Sequence, residues 1–332
     1  AAQTSSANQW SCEAVADDGT ELSAASSASM SFADTVDDDG DGFSEADGDC
    51  NDEAEWIFPG AIEIPDTQFS ESCGTEIDAS NYSSAVFVSP NGSSFGNGGS
   101  GAPLVLLQDA IDLADAFGWF VVAADGTYAE DVLVPDGVSI FGGYDDQSWT
   151  LSGNNSVLAG NLRFDTTTTA AIARWTVTGS NGALPISIDV SSAAQLYQVT
   201  AQGQALSGGE AGAMLIEGQL RCVDCTVLAG DASSAGADSV GVNVSGGIAT
   251  FFGGEISGGL AQDGAIGANG VNGEMFDYWR CRRSSNGANG GDGDDGGNSF
   301  ALKGDAAVIS LYGTVMTAGT SGRGGDGGRG GN

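Results

Sequence analysis

The sequence ISI at residues 186–188 returns as MLI at 214–216 and as VNV at 242–244, 28 residues apart each time. Two apolar side chains flanking one residue mark a short strand with one buried face. A second apolar stretch follows each triplet, at 196–199, 220–227 and 248–256, and a glycine-rich turn closes each unit. FAL at 300–302 lies 58 residues beyond the last triplet and reads as about two further periods. LRF at 162–164 and VSI at 138–140 extend the series backwards at a spacing of 24. Fixed periods in the twenties, without a helix in each unit, predict a β-solenoid. One coil cannot bury its own apolar face, so coils stack at ~4.8 Å and their inward residues form columns. Ile188, Ile216 and Val244 are therefore expected to lie above one another. The competing fold is a β-sandwich of irregular hairpins, which does not require equal spacing.

Upstream of the repeats, AVFV at 85–88 reads as a strand, followed by the loop SPNGSSFGNGGSGAP. A helix is predicted over 104–117, because Leu104, Leu107, Ala110, Ile111, Ala114 and Phe117 recur at three- and four-residue steps before Gly118. Strands follow at 119–124, 131–134 and 138–141. The expected class is all-β, a parallel solenoid with one N-terminal helix and a small Asp-rich module. The chain divides into an extended arm (1–35), an Asp-rich module and connector (36–84) and the solenoid (85–332).

Three segments in this region occur in a telling order: VFVSPNG, then LVLLQDAIDLADAFG, then FVVAADGTYAEDVLVPDGVSIFGGYD with Trp149 beyond it. Their order and spacing resemble the start of pectin-lyase-like β-helices in exported bacterial proteins. The resemblance implies a right-handed parallel β-helix whose N-terminal end is plugged by the helix and whose first full coil is ADGTYAED. It implies no activity, since that fold serves lyases, hydrolases, adhesins and passive stalks.

The 332 residues hold 45 acidic and 9 basic side chains and no histidine, a formal charge of -36. Such a chain repels nucleic acid and anionic membranes and suits divalent cations. No apolar run is long enough to span a membrane. The opening AAQTSSANQW reads as a mature end left by signal-peptide cleavage, which places the protein outside the cell or on a bacterial cell surface. In that setting the six cysteines, Cys12, Cys50, Cys73, Cys222, Cys225 and Cys281, are disulfide candidates. Cys50 and Cys73 flank one small acidic module and are the expected local pair. Cys222 and Cys225 form a CxxC inside a β-rich repeat, which reads as a structural disulfide or buried thiols rather than a redox centre.

Residues 37–52 read DDDGDGFSEADGDCND. Asp37, Asp39 and Asp41 alternate before Gly42, so their carboxylates converge in a tight turn to which the Phe43 carbonyl adds a ligand. An EF-hand would carry Glu at the twelfth loop position, here Gly48, so this is not an EF-hand. Asp47, Asp49 and Asp52 complete one shell, or Asp47, Asp49 and Asn51 hold a second ion. The wider pattern DxDGDGFxxxxGDCNDxxxxxxPGAxEIxD, completed by Trp56, Pro59, Gly60, Ala61, Glu63, Ile64 and Asp66, resembles MopE-type surface repeats and thrombospondin type 3 calcium repeats. The resemblance implies bound calcium. Where that family has Cys after Glu-Ile this chain has Pro65, with Cys73 as the substitute. Some family members are associated with copper, but carboxylate oxygens without histidine favour calcium. The competing reading is a solvated acidic linker.

Little in the sequence points to catalysis. Arg163, Arg174, Arg221, Arg280 and Lys303 are candidate bases, but none sits in a recognisable lyase motif. Asp189 and Glu217, 28 apart, are expected on adjacent coils like a glycosidase carboxylate pair, although solvated outward acids account for them equally well. The segment EMFDYWRCRR at 274–283 reads either as a packed loop pinned by Cys281 or as a contact patch of Trp279, Arg280, Arg282 and Arg283 for a partner or glycan. Glycines recur about every third residue in three loops, at 259–274, 284–299 and 320–332, which read either as a polyproline-II-like rib beside the solenoid or as flexible loops. The expected function is an exported, non-catalytic, calcium-stabilised structural protein, either a self-assembling fibre subunit or an adhesive stalk that contacts surface proteins or glycans. The alternative is a polysaccharide-binding or polysaccharide-cleaving β-helix.

Overall fold

A computed structural model describes residues 8–14, 26–32, 35–67, 69–74, 84–164, 169–270, 275–278, 281–284, 289 and 291–329. The chain forms two compact units, residues 1–80 and 81–332. In the first, Asn8–Ala14 pairs antiparallel with Ser26–Phe32, so the segment read as an extended arm doubles back as a ribbon. The remainder of that unit, described below, is mostly turns.

The second unit is mostly β, with three parallel sheets and, among the described residues, one α-helix. Successive strands enter the three sheets in rotation. One such circuit runs Ala193–Tyr197, Thr200–Gln202, Ala211–Ile216, and the next runs Gln219–Val223, Thr226–Leu228, Ser239–Ser245. Each strand pairs with its counterparts one circuit earlier and later, an arrangement consistent with a parallel β-solenoid. Ile188 registers with Ile216, and Ile216 with Val244. The column extends backwards through Phe164 and Val134. All five side chains are buried. A parallel column holds Val132, Leu162, Ile186, Met214, Val242 and Leu302. Each fully buried aliphatic chain contributes about 1.5–3 kcal/mol, and stacking lets every coil cover its neighbours.

Two of the expected repeats are placed differently. VSI at 138–140 is not the counterpart of LRF; that position belongs to Val132–Val134, while Ile140 starts a strand of the next sheet and pairs with Ile172. FAL lies one circuit beyond 240–242, not two, with Phe300 on Val240 and Leu302 on Val242. The extra residues leave the wall as a long excursion between Glu255–Ser257 and Ser299–Asp305. The helix runs Leu107–Phe117 rather than from Leu104, which is still extended and bridges Val88. The Glu130 carboxylate accepts the amides of Leu107 (2.7 Å) and Gln108 (3.0 Å), fixing the helix start. Leu107, Ala110, Ile111 and Ala114 are buried against the first strands.

The excursion and the last circuit pack as a three-segment glycine bundle. Amides of Gly264, Gly267 and Gly270 donate to the carbonyls of Arg323, Asp326 and Arg329; Gly322, Gly325 and Gly328 donate to Gly297, Asp294 and Gly291; and Gly291, Asp294 and Gly297 donate to Ala268, Ala265 and Gln262. Each segment thus donates to one neighbour and accepts from the other at every third residue. A Cβ on Gly264 or Gly325 would stand 1.9 or 2.0 Å from a neighbouring carbonyl oxygen, so only glycine fits there.

One corner of five successive circuits turns through a left-handed residue: Arg174, Gln198, Asp224, Gly253 and Gly313 have φ between 51° and 63°. Each of the first four donates its amide to a carbonyl of the next circuit, Tyr197, Val223, Phe252 and Tyr312 in turn. The Cys222–Cys225 disulfide straddles the Asp224 corner.

Candidate metal centre

The acidic module begins with a turn organised by Asp37. Its Oδ1 accepts the amides of Gly40 (2.8 Å) and Asp41 (3.1 Å), and its Oδ2 accepts Gly42 (2.9 Å). The following acids share one habit. Asp39, Asp41, Asp49 and Asp52 each use Oδ1 to accept a backbone amide, from Asp41, Phe43, Asn51 and Asp38 respectively. Each turns its Oδ2 away from solvent. For Asp39 and Asp52, and for Glu45 at Oε2, that buried oxygen meets no hydrogen-bond donor. Ligand oxygens of Asp39, Asp49 and Asp52 lie within 4.8 Å of one another, as do those of Asp37, Asp39 and Asp41, so the two groups meet at Asp39.

Such an arrangement is electrostatically unfavourable by itself. Burial, reinforced by the charges of Asp49, Asp37 and Asp52, pushes Asp39 up to about 6. Burial and then the neighbouring Glu45 raise Asp52. Carboxylates held with their free oxygens inward in a water-poor space need protons or a cation to compensate them. The donor set, all oxygen and clustered on tight turns, can hold a hard divalent ion.

The remaining predicted ligands are distributed around this cluster. Asp47 is exposed, and its Oδ2 accepts both the amide (3.2 Å) and the hydroxyl (2.7 Å) of Ser44 at the start of a short 3-10 turn, Glu45–Asp47. Asn51 donates its amide to Asp49, and Phe43 donates its amide to Asp41 and stacks its ring on Phe58 at 5.6 Å. Gly48 has φ 100°, a conformation that disfavours glutamate, so the position of an EF-hand's twelfth-residue carboxylate supplies none here; the buried carboxylates nearby are Asp49 and Asp52. Glu45 was missed from sequence; it is the ninth residue counted from Asp37, a position from which calcium loops often draw a ligand through water.

Behind the cluster lie Ile57, Phe58, Ala61 and Ile64, all buried. Cys50 and Cys73 are joined, as expected, with Cα atoms 5.5 Å apart. The fully buried Glu71 accepts the Ile64 amide at 3.0 Å and the Thr67 hydroxyl. Burial raises its carboxyl to about 7. Its neighbour Glu63 is also partly buried, but donors from Ser72 and Ser70 outweigh that effect and hold it below the usual range.

In the solenoid unit the candidate bases have structural partners. Arg174 donates to the Gly142 carbonyl and the Tyr144 hydroxyl, Arg221 lies 4.4 Å from the Phe252 ring centre, and Lys303 lies 5.9 Å from that of Phe300. Asp189 approaches Arg163 at 3.9 Å across an exposed surface. Asp189 and Glu217 each follow a registered pair member, Ile188 and Ile216, and so sit on adjacent circuits. Trp279 and Arg280 lie outside the described residues. Arg282 and Arg283 belong to a strand paired antiparallel with Met275–Tyr278, and their side chains, like those of Cys12 and Cys281, also lie outside the described residues. No helix among the described residues is long and apolar enough to cross a membrane. The two disulfides fit an oxidising, extracellular setting.

Comparison with protein-family models, curated proteins and solved structures gives no match.

Proposed function

We propose that residues 37–52 bind calcium, and that the protein is an exported, non-catalytic surface protein in which this module accompanies a right-handed parallel β-helix of the pectin-lyase-like kind. One observation carries the metal reading. The acids tie one oxygen to the backbone and direct the other into a common buried space, where Asp39, Glu45 and Asp52 find no donor. A solvated linker would leave those oxygens in water. Calcium suits the set because it accepts many oxygen ligands in irregular geometry, including backbone carbonyls and water. The MopE-type and thrombospondin type 3 resemblance of residues 37–66 supports the same ion and a surface location.

A passive role is favoured by the structural engagement of Arg174 and Arg221. A spacer or adhesive stalk suits the solenoid better than a fibre of coils stacked head to tail, because the helix Leu107–Phe117 covers the first strands. Metal analysis of the purified chain, with melting curves in calcium and in chelator, tests the reading. Bound calcium and a melting transition raised by the ion are expected. If chelator changes neither metal content nor melting, the ion site does not exist.

A further inference from the structure

We propose a second binding site, on the solenoid unit and independent of the metal centre: an uncharged aromatic cleft that takes a neutral saccharide. The cleft has a volume of about 540 Å³, within the usual range for small-molecule sites. Along Ala85–Val88, Val86 and Val88 join the core, so Ala85 and Phe87 lie on the other face of the strand, where both are buried. The following loop folds over them: the Phe87 amide donates to the Gly98 carbonyl (2.8 Å), and the Leu104 amide to the Phe87 carbonyl (3.0 Å). Gly98 has φ 78°, and a Cβ there would stand 2.9 Å from both Leu113 and Val86, so the close approach requires glycine.

Three aromatic rings shape the cleft: Phe87, Trp119 and Trp149. Trp149 is held in the left-handed region at φ 53°, its indole N–H donates to the Ser100 carbonyl at 3.0 Å, and its ring meets Phe87 edge-on at 4.6 Å. A bulky residue in that conformation is strained, and such strain is concentrated where a side chain must be aimed. Trp119 is half-buried, and the exposed Phe117 stacks behind it at 4.9 Å. Asn97 and Ser148 also line the cleft. The Asn97 oxygen accepts the Gly99 amide at 3.0 Å, which leaves its NH2 as a donor.

Among the described residues no ionisable side chain lines the cleft, in a chain with 45 acidic and 9 basic residues. A metal ion finds no carboxylate there, and an anionic polymer meets the repulsion of the whole molecule. The Ser148 hydroxyl already pairs with Asp145 and Thr150, both at 2.9 Å, so a purely apolar ligand would leave the Asn97 NH2 as the lining side-chain donor to be satisfied. A neutral saccharide presents a C–H face to the half-buried Trp119 and hydroxyls to Asn97 and the exposed backbone, and so answers both requirements.

Affinity electrophoresis of the full chain through gels containing neutral β-glucan, galactomannan or xyloglucan tests this, with pectin and a proline-rich peptide as the contrasting ligands. Retardation by at least one neutral polysaccharide is expected. Trp119→Ala should weaken it about tenfold in a solenoid unit that remains folded by circular dichroism. Chelator should leave the retardation intact, which separates this site from the metal centre. The proposal is overturned if no neutral polysaccharide retards the chain, if only pectin or the peptide binds, or if Trp119→Ala binds as well as the native protein. Should Trp119→Ala fail to fold, Ser148→Trp, which fills the cleft from an exposed loop, must abolish binding in its place.

Discussion

The solenoid unit and the acidic module solve the same problem in opposite ways. The solenoid buries aliphatic columns in which Ile188, Ile216 and Val244 are each covered by the circuits above and below. Its stability is distributed over many apolar contacts and does not depend on a bound ion. Among the described residues of the module the buried apolar side chains are Ile57, Phe58, Ala61, Ile64 and Pro65, alongside buried Asp41, Asp49, Asp52 and Glu71. With so small a core, its stability depends on a disulfide, on protons and on a cation. Repetition makes one unit robust, and charge compensation makes the other conditional.

Calcium should separate the two most sharply. At a thousandfold excess over its dissociation constant the ion adds about 4 kcal/mol to the module. Calorimetry should then show one transition shifted by calcium and one that ignores it. Asp52→Asn should remove most of that shift, and a single transition moved as a whole by calcium would break the comparison.

Next in size is Ile216→Ala. Removing the middle of a column buried on both sides should destabilise the solenoid by about 3 kcal/mol. Urea melts followed by far-ultraviolet circular dichroism should show this loss equally with and without calcium.

A smaller effect is expected from pH, and it depends on whether the metal is bound. Glu71 stands at about 7 in the folded module against an ordinary 4.5, and Asp39 at about 6 against 3.8. The folded state therefore holds protons that the unfolded chain has released. The stabilisation they bring is complete below the ordinary values and is lost as pH rises through 6 to 7. Glu63, held below its ordinary value, acts the other way, but only at more acidic pH. Without metal the module should melt ~5 °C lower at pH 8 than at pH 5. With calcium, which replaces the proton on Asp39, the trend should flatten or reverse. A metal-free module that gains stability towards pH 8 would refute the assignment of these groups.

The smallest effect concerns a corner. Gln198 holds a left-handed conformation at φ 52°, where its stacked counterparts include Gly253 and Gly313. Gln198→Gly relieves that strain but loosens the unfolded chain, so a gain below ~1 kcal/mol is expected in solenoid melting. Gln198→Val should lose stability at the same position.

The third sheet was legible because its strands carry paired aliphatics at a fixed spacing and no insertion separates 186 from 244. The misreadings occurred where spacing stopped reporting on stacking. VSI at 138–140 matched the period by chance, since the segment from 132 to 162 takes 30 residues to complete its circuit. FAL was displaced because the excursion after Glu255–Ser257 lengthens one circuit without adding another. At the metal centre Asp39, Asp41, Asp49 and Asp52 were readable as alternating acids beside glycines. Glu45 and the capping role of Asp47 were not, because two acids in one turn look alike until the backbone decides which faces inward.

By itself, then, the sequence determined what depends on local chemistry and on period: short strands from alternating aliphatics, a helix stopped at Gly118, glycines where segments approach closely, and acids dense enough to need compensation. Tertiary structure alone decided which repeats stack, which carboxylate oxygens face one another, and which residues accept a left-handed corner. Those outcomes rest on contacts between residues far apart in the chain. The free energy of such contacts is set by what a folded neighbour covers or leaves uncovered, and no run of adjacent residues encodes that.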